Sequence, residues 1–101
     1  MTKIHFNGVA RTKFLERVGR VKLELFLLRF KILSDIELSL EPRDKDLYTA
    51  TIKGKSSSGP IYSVARSSTN LCLAIILAGE AFEVLLTTHL PKPEKVYDER
   101  L

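Results

Sequence analysis

Hydrophobic and polar residues alternate along short segments of the chain, a pattern typical of strands with one buried face. The clearest case is 34–41, in which three apolar residues alternate strictly with polar ones. Residues 3–9 alternate in the same way and meet an Asn-Gly turn signal. Residues 47–55 are rich in Thr, Tyr and Ile, and 61–67 can pair back on them after a Ser-rich connection. We therefore predict four strands.

A helical period runs through residues 11–30. It places five apolar residues at spacings of four, three, four and three, namely Phe14, Val18, Val21, Leu25 and Leu28. Side chains at this spacing share one face, so the segment predicts a helix that buries this apolar stripe. Other apolar residues of its C-terminal half fall off the stripe, namely Leu23, Phe26, Leu27 and Phe30. We expect that half to be covered on more than one side.

A second helix is predicted over residues 69–89. Its buried residues are expected at helical spacing, namely Leu71, Ile75, Ala78, Phe82 and Leu85, and its N-cap among Ser67, Ser68 and Thr69. A membrane span needs about 20 apolar residues, and this run meets Glu80 and Glu83 first. The segment therefore predicts a core helix, and no membrane is expected as a partner.

The order of these elements is β-α-β-β-β-α, which predicts an α+β fold. The last three strands are expected to form an antiparallel meander within a mostly antiparallel four-stranded sheet. Both helices should pack on its apolar face and leave the other face open. Residues 1–90 are predicted to form a single domain, and 91–101 a C-terminal tail.

Charge changes this picture along the first helix. The chain of 101 residues has a formal net charge of +4 and a pI near 9.4. Residues 11–31 contain seven Lys or Arg and two Glu, a local charge of +5, whereas 67–90 contain two Glu and neither Lys nor Arg. The first helix is therefore the candidate surface for a polyanion. The N-terminus lacks the apolar core of a signal peptide, so a cytoplasmic protein is expected.

The sequence contains few of the patterns that carry chemistry. Cys72 is the only cysteine, His5 and His89 lie near opposite ends of the chain, and the Ser-rich turn has no phosphate-loop spacing. We expect no catalytic residue, no metal site, no cofactor and no small-molecule substrate, and we predict that the chain is not an enzyme.

Three segments resemble the ribosome hibernation-promoting factor and ribosome-associated inhibitor (sigma-54 modulation protein) family. KIHFNGV at 3–9 resembles the family's opening strand and turn, and VKLELF at 21–26 its first helix. IYSVARSSTNLCLAI at 61–75 is similar to its last strand, polar turn and second-helix start. The resemblance covers most of 3–89. It implies a cytoplasmic protein that lies in the messenger and transfer RNA channel of the small ribosomal subunit and contacts ribosomal RNA.

The resemblance also implies which cations contact RNA. On the first helix they are Arg11, Lys13, Arg17, Arg20 and Lys22, and on the sheet Lys53, Lys55 and Arg66. The family's second helix is rich in Lys and Arg, whereas here its second half reads AGEAFEVLLTTHL. A double-stranded RNA-binding domain is a related alternative, but its lysine cluster would fall at 67–71, where this chain has no cation.

A second hypothesis is a protein-interaction or self-associating module that keeps this fold without binding the ribosome. It rests on apolar residues that project off the two helical faces, namely Phe26, Leu27, Phe30, Leu73 and Ile76. If they are exposed, they mark a partner surface, and a homodimer is expected. If the two helices bury them against each other, this hypothesis loses its basis.

Overall fold

The structure, a computed structural model, describes residues 2–89 and the side chains of residues 2–88. Its elements are β1 (Thr2–Phe6), α1 (Lys13–Arg29), β2 (Leu33–Asp44), β3 (Leu47–Ser56), β4 (Ile61–Ser68) and α2 (Leu71–His89). The predicted β-α-β-β-β-α order is confirmed. The tail predicted over 91–101 and the domain boundary at 90 lie outside the described residues.

The four strands form one sheet in the order β1-β2-β3-β4. β1 pairs in parallel with β2, with α1 as the crossover between them, while β2, β3 and β4 form the predicted antiparallel meander. Leu38 of β2 lies between Ile4 of β1 and Ile52 of β3, and Ile52 is in turn the register partner of Val64 on β4. Residues that pair across strands share a face, so this apolar row belongs to one side of the sheet.

Both helices pack on that side, as the sequence predicts. At Gly19 of α1 a Cβ atom would come within 2.8 Å of Leu38. At Gly54 of β3 a Cβ atom would come within 2.7 Å of the Phe82 ring of α2. The Phe26 ring of α1 meets the Phe82 ring edge-on, with 5.2 Å between centroids. The two helices and the sheet therefore share one core.

The buried face of α1 differs from the prediction. Four of the five residues in the predicted apolar stripe are 52–66% exposed, namely Phe14, Val21, Leu25 and Leu28, and Val18 is half-buried. The residues that face the sheet are Leu15, Gly19, Leu23 and Phe26. Their spacing of four, four and three is also helical, so α1 has two apolar faces. The absence of a side chain at residue 19 lets α1 approach the sheet on this second face.

The helix caps follow from short polar side chains. The Thr12 Oγ1 atom accepts a hydrogen bond of 3.1 Å from the Leu15 N–H, and the Asn70 Oδ1 atom accepts one of 3.0 Å from the Leu73 N–H. The predicted N-cap of α2 at 67–69 is therefore wrong. Residues 67 and 68 belong to β4, and α2 begins at Leu71, two residues after the predicted start at 69.

By length and composition alone, α2 could cross a membrane over Leu71–Thr88, where the mean hydropathy is 1.9. A core helix passes the same test. Six residues of α2 are buried in the core, namely Ala74, Ile75, Ala78, Gly79, Phe82 and Leu86. The helix therefore packs as the predicted core helix in this structure.

The contact between Gly54 and Phe82 leads to a stability prediction. We expect Gly54→Ala to lower the free energy of unfolding by about 1–3 kcal/mol, because the added methyl group overpacks a buried ring. Gly79→Ala is the matched control. Its Cβ would lie 3.2 Å from the flexible Lys22 side chain, which can move, and alanine favours a helix by up to about 1 kcal/mol. Urea unfolding, monitored by circular dichroism, measures the free energy of unfolding of both variants. Equal losses of stability in the two variants would contradict the prediction.

Candidate nucleic-acid interface

Three cations lie along one side of α1. Lys13, Arg17 and Arg20 follow each other at spacings of four and three, and all three are exposed. We call them the basic flank. Among the described residues, Lys13 and Arg17 have no hydrogen-bond or ion-pair partner. Their charges are therefore available to a ligand. Glu24 lies on the same side of the helix and forms no ion pair with any residue that the structure describes.

Arg20 is held more firmly than its two neighbours. Its guanidinium lies 3.6 Å from the Glu16 carboxylate and donates a hydrogen bond of 3.4 Å to the Thr2 Oγ1 atom of β1. Arg11 also contacts Glu16, at 3.3 Å, and lies 4.7 Å above the centre of the Phe6 ring. Because a cation between a carboxylate and a ring is already engaged, Arg11 is less available than the basic flank.

Lys22, which the resemblance places among the RNA contacts, lies on the other side of α1. Its aliphatic stem packs over Gly79 of α2 and is half-buried there. Arg29 forms a 2.8 Å ion pair with Glu83 of α2 on the same side. Both cations join the two helices, so the predicted set on α1 is divided between two surfaces.

Lys53 and Lys55 lie on the open face of the sheet, opposite the helices. The register places Lys53 beside Glu37, which in turn pairs with Lys3 of β1. The three lysines line a shallow depression of about 320 Å³ together with Asp35, Glu37 and Ile61. The acids between the lysines lower the positive potential on this face. Sequence reasoning missed Lys3, although its alternation with Ile4 indicates the open face.

The edge strand β1 connects these two groups of cations. Arg20 reaches Thr2, and the next residue along β1 is Lys3 of the open face. Arg66 lies apart from them on β4, the opposite edge of the sheet, where its guanidinium donates to the carbonyl oxygen of Ala65. The structure thus places the basic flank and the open face on either side of β1, and it leaves Arg66 and Lys22 elsewhere.

The predicted partner surface is only partly exposed. Phe26 is 5% exposed and lies against Phe82, so its assignment to a surface is wrong, and Leu27 and Phe30 pack half-buried against the core. Leu73 and Ile76 are exposed. Five further apolar residues of the two helices are exposed as well, four that were predicted to be buried and one, Val84, that was not assigned. We call all seven the apolar face: Phe14, Val21, Leu25 and Leu28 on α1, and Leu73, Ile76 and Val84 on α2.

Few side chains in the described part of the chain are arranged for metal binding or acid–base chemistry. Residues 2–88 contain no group of three or more His, Cys, Asp or Glu side chains that could hold a metal ion. His5 and Glu37 share a hydrogen bond of 3.0 Å on the open face.

The sequence matches no protein-family model and no curated protein. The structure is similar to that of a ribosomal subunit interface protein from Coxiella burnetii, with a TM-score of 0.79 and 17% identity over 91% of this chain and 100% of that one. It is also similar to the N-terminal domain of Protein Y from Thermus thermophilus, with a TM-score of 0.71 and 18% identity over 85% and 93% of the two chains. The chain has the fold of both proteins. The resemblance to hibernation-promoting factors is thereby confirmed at the level of the fold.

The basic flank leads to a prediction about binding to a polyanion. We expect Lys13→Glu/Arg17→Glu to weaken binding to a structured RNA oligonucleotide. The plot of log binding constant against log salt concentration should also become less steep by about 1.5, because two phosphate contacts are lost. Fluorescence anisotropy at several salt concentrations measures the slope. The control is Lys31→Glu/Lys45→Glu, which changes the net charge equally at two exposed positions outside the basic flank. Equal effects of the two variants would show that only net charge matters.

Proposed function

We propose that this chain is a ribosome-associated regulator that binds the small ribosomal subunit through contacts of the basic flank with ribosomal RNA. The observation that carries the proposal is the agreement in fold, at a TM-score of 0.79, over the whole length of a protein described as a ribosomal subunit interface protein. The cations of α1 then supply the chemistry that such a site requires, because ribosomal RNA presents a dense array of phosphates.

The state of the basic flank supports RNA as its ligand. Lys13 and Arg17 have no ion pair within the described residues, so phosphate contacts replace water rather than an existing carboxylate. Arg20 would give up a partly exposed ion pair with Glu16, of a kind worth no more than about 1 kcal/mol, and a long hydrogen bond to Thr2. Most of the binding free energy would come from release of counterions from the RNA, so affinity would fall steeply as salt rises.

Binding through this surface would involve mainly one helix. The charged residues of α2 within 71–88 are Glu80 and Glu83, and Glu83 is paired with Arg29. The α2 helix would therefore add no phosphate contact, and like charge would keep it away from the RNA backbone. The basic flank and the lysines of the open face would carry the interaction.

The proposed action is steric. A protein bound in the messenger and transfer RNA channel of the small subunit would occupy space that those RNAs need, without catalysis and in the cytoplasm. Inhibition would then be stoichiometric, with one bound chain per blocked subunit.

Cosedimentation with purified small subunits tests the binding. We expect the wild type to pellet with the subunits at low salt and to dissociate as salt rises, whereas Lys13→Glu/Arg17→Glu/Arg20→Glu binds at least about tenfold more weakly. The control Lys31→Glu/Arg43→Glu/Lys45→Glu carries the same change in net charge at exposed positions outside the predicted set of RNA-contacting cations. Undiminished binding of the first variant would place the contact elsewhere, and no binding of the wild type would refute the proposal.

Occupancy of the channel is tested by competition. Small subunits preloaded with messenger RNA and transfer RNA should bind less of the chain than empty subunits do, and isolated large subunits should bind little. Equal binding to loaded and empty subunits would contradict occlusion of the channel while leaving ribosome association intact.

A further inference from the structure

Arg11 is held in place by two contacts, yet much of its side chain is open to solvent. Its guanidinium carbon lies 4.7 Å from the centre of the Phe6 ring, and its Nη1 atom donates a hydrogen bond of 3.3 Å to the Glu16 Oε2 atom. These two residues are its partners within the part of the chain that the structure describes. The Arg11 side chain is nevertheless 58% exposed. The side of the guanidinium that points away from Phe6 therefore faces solvent.

Both contacts of Arg11 are made by residues that the fold fixes. Phe6 is the last residue of β1, pairs with the buried Leu40 of β2 and lies half-buried against the core. Glu16 belongs to the first turn of α1. Arg11 is thus held between the end of a strand and the start of a helix. A ligand that binds it has less side-chain freedom to immobilise than it would have at a free arginine.

The exposed surface of Arg11 suits a flat, neutral group better than a phosphate. A phosphate binds the N–H groups at the edge of a guanidinium, and Arg11 already donates one of these to Glu16. The negative charge of Glu16 also offsets part of the attraction that a phosphate would meet. Stacking uses the face of the guanidinium instead, and a nucleobase presents a face without net charge. An arginine whose edge is engaged can therefore still stack.

Cations for the adjoining phosphates lie directly beside Arg11. The Glu16 Oε2 atom that accepts from Arg11 also lies 3.6 Å from the Arg20 Nη2 atom, so the basic flank begins at the same carboxylate. Lys13 of the basic flank is two residues from Arg11 in the sequence. Single-stranded nucleic acids combine flat bases with a phosphate at every residue. These neighbours therefore favour RNA over an aromatic side chain of a protein.

We propose that the exposed face of Arg11 stacks on an unpaired nucleobase of the RNA that the basic flank holds. The inference rests on the proposed function for its ligand, RNA, and adds a contact with a base to the contacts with phosphates. A base inside a duplex has both faces covered by its neighbours, whereas a base in a bulge or loop can turn outward and stack on an arginine. The chain would then prefer a site with an unpaired base over a continuous duplex.

Two RNA hairpins test the stacking. Both have the same stem and one bulged nucleotide, which is an adenosine in the first hairpin and an abasic ribose in the second, so that the number of phosphates is equal. We expect the wild type to bind the first hairpin at least about fivefold more tightly, as measured by fluorescence anisotropy. Because stacking on a neutral base releases no counterions, this ratio should persist as salt rises, although both affinities fall.

Substitutions separate the flat face of the guanidinium from its charge. Lysine keeps the charge but has no flat face, so Arg11→Lys should bring the ratio of the two affinities close to one. Arg43→Lys makes the same exchange at an exposed arginine of β2 and should leave the ratio unchanged. Lys13→Glu/Arg17→Glu should weaken the binding of both hairpins by similar factors, because it removes phosphate contacts alone. Circular dichroism confirms that each variant is folded.

Equal affinity of the wild type for the two hairpins, or a ratio that survives in Arg11→Lys, would overturn the proposal. Binding of both hairpins without a preference would leave the proposed function standing. A clear preference for the base, in a chain that does not pellet with small subunits, would instead refute the proposed function alone. A wild type without this preference, whose binding to small subunits falls in Arg11→Lys, would also overturn the proposal, because an aromatic side chain of a ribosomal protein would then occupy the face.

Discussion

The edge-on contact of Phe26 with Phe82, made over the backbone of Gly54, joins the two helices and the sheet. The Phe82 side chain is fully buried, and a Cβ atom at residue 54 would overlap its ring. The edge-on aromatic pair stabilises the fold by more than the burial of its apolar surface alone. It requires the space that the missing side chain of Gly54 leaves on β3. Because Phe26 belongs to α1, this one contact also fixes where α1 lies relative to α2. The outer surface of both helices depends on it.

The sequence predicts the number, type and order of elements in this fold because alternating and helical periods differ clearly along the chain. It does not predict which side of α1 is buried. Phe14, Val21 and Leu25 follow at spacings of seven and four, and Leu15, Leu23 and Phe26 at eight and three. Both sets are helical, and periodicity cannot rank two apolar faces of one helix. The deciding residue is Gly19, which a count of apolar residues overlooks and which lets the backbone of α1 approach Leu38.

In the candidate site, too, local periodicity predicts some positions, and packing between distant elements decides the others. Helical spacing alone indicates that Lys13, Arg17 and Arg20 lie on one side of α1, and strand alternation indicates that Lys53 and Lys55 share the open face. The different position of Lys22 depends on where α2 lies, because its stem packs over Gly79. Contacts between elements distant in sequence are set by the packed structure, and a local pattern carries no information about them.

Since the core is complete without them, the outer residues of α1 and α2 are under little constraint from folding. Substitutions at exposed positions usually change stability by less than about 0.5 kcal/mol. A lineage could therefore replace cations on α2 by apolar residues, or the reverse, through single steps that each preserve the fold. The surface of the helical layer can therefore change while the core beneath it stays the same, and the fold is shared here at 17–18% identity.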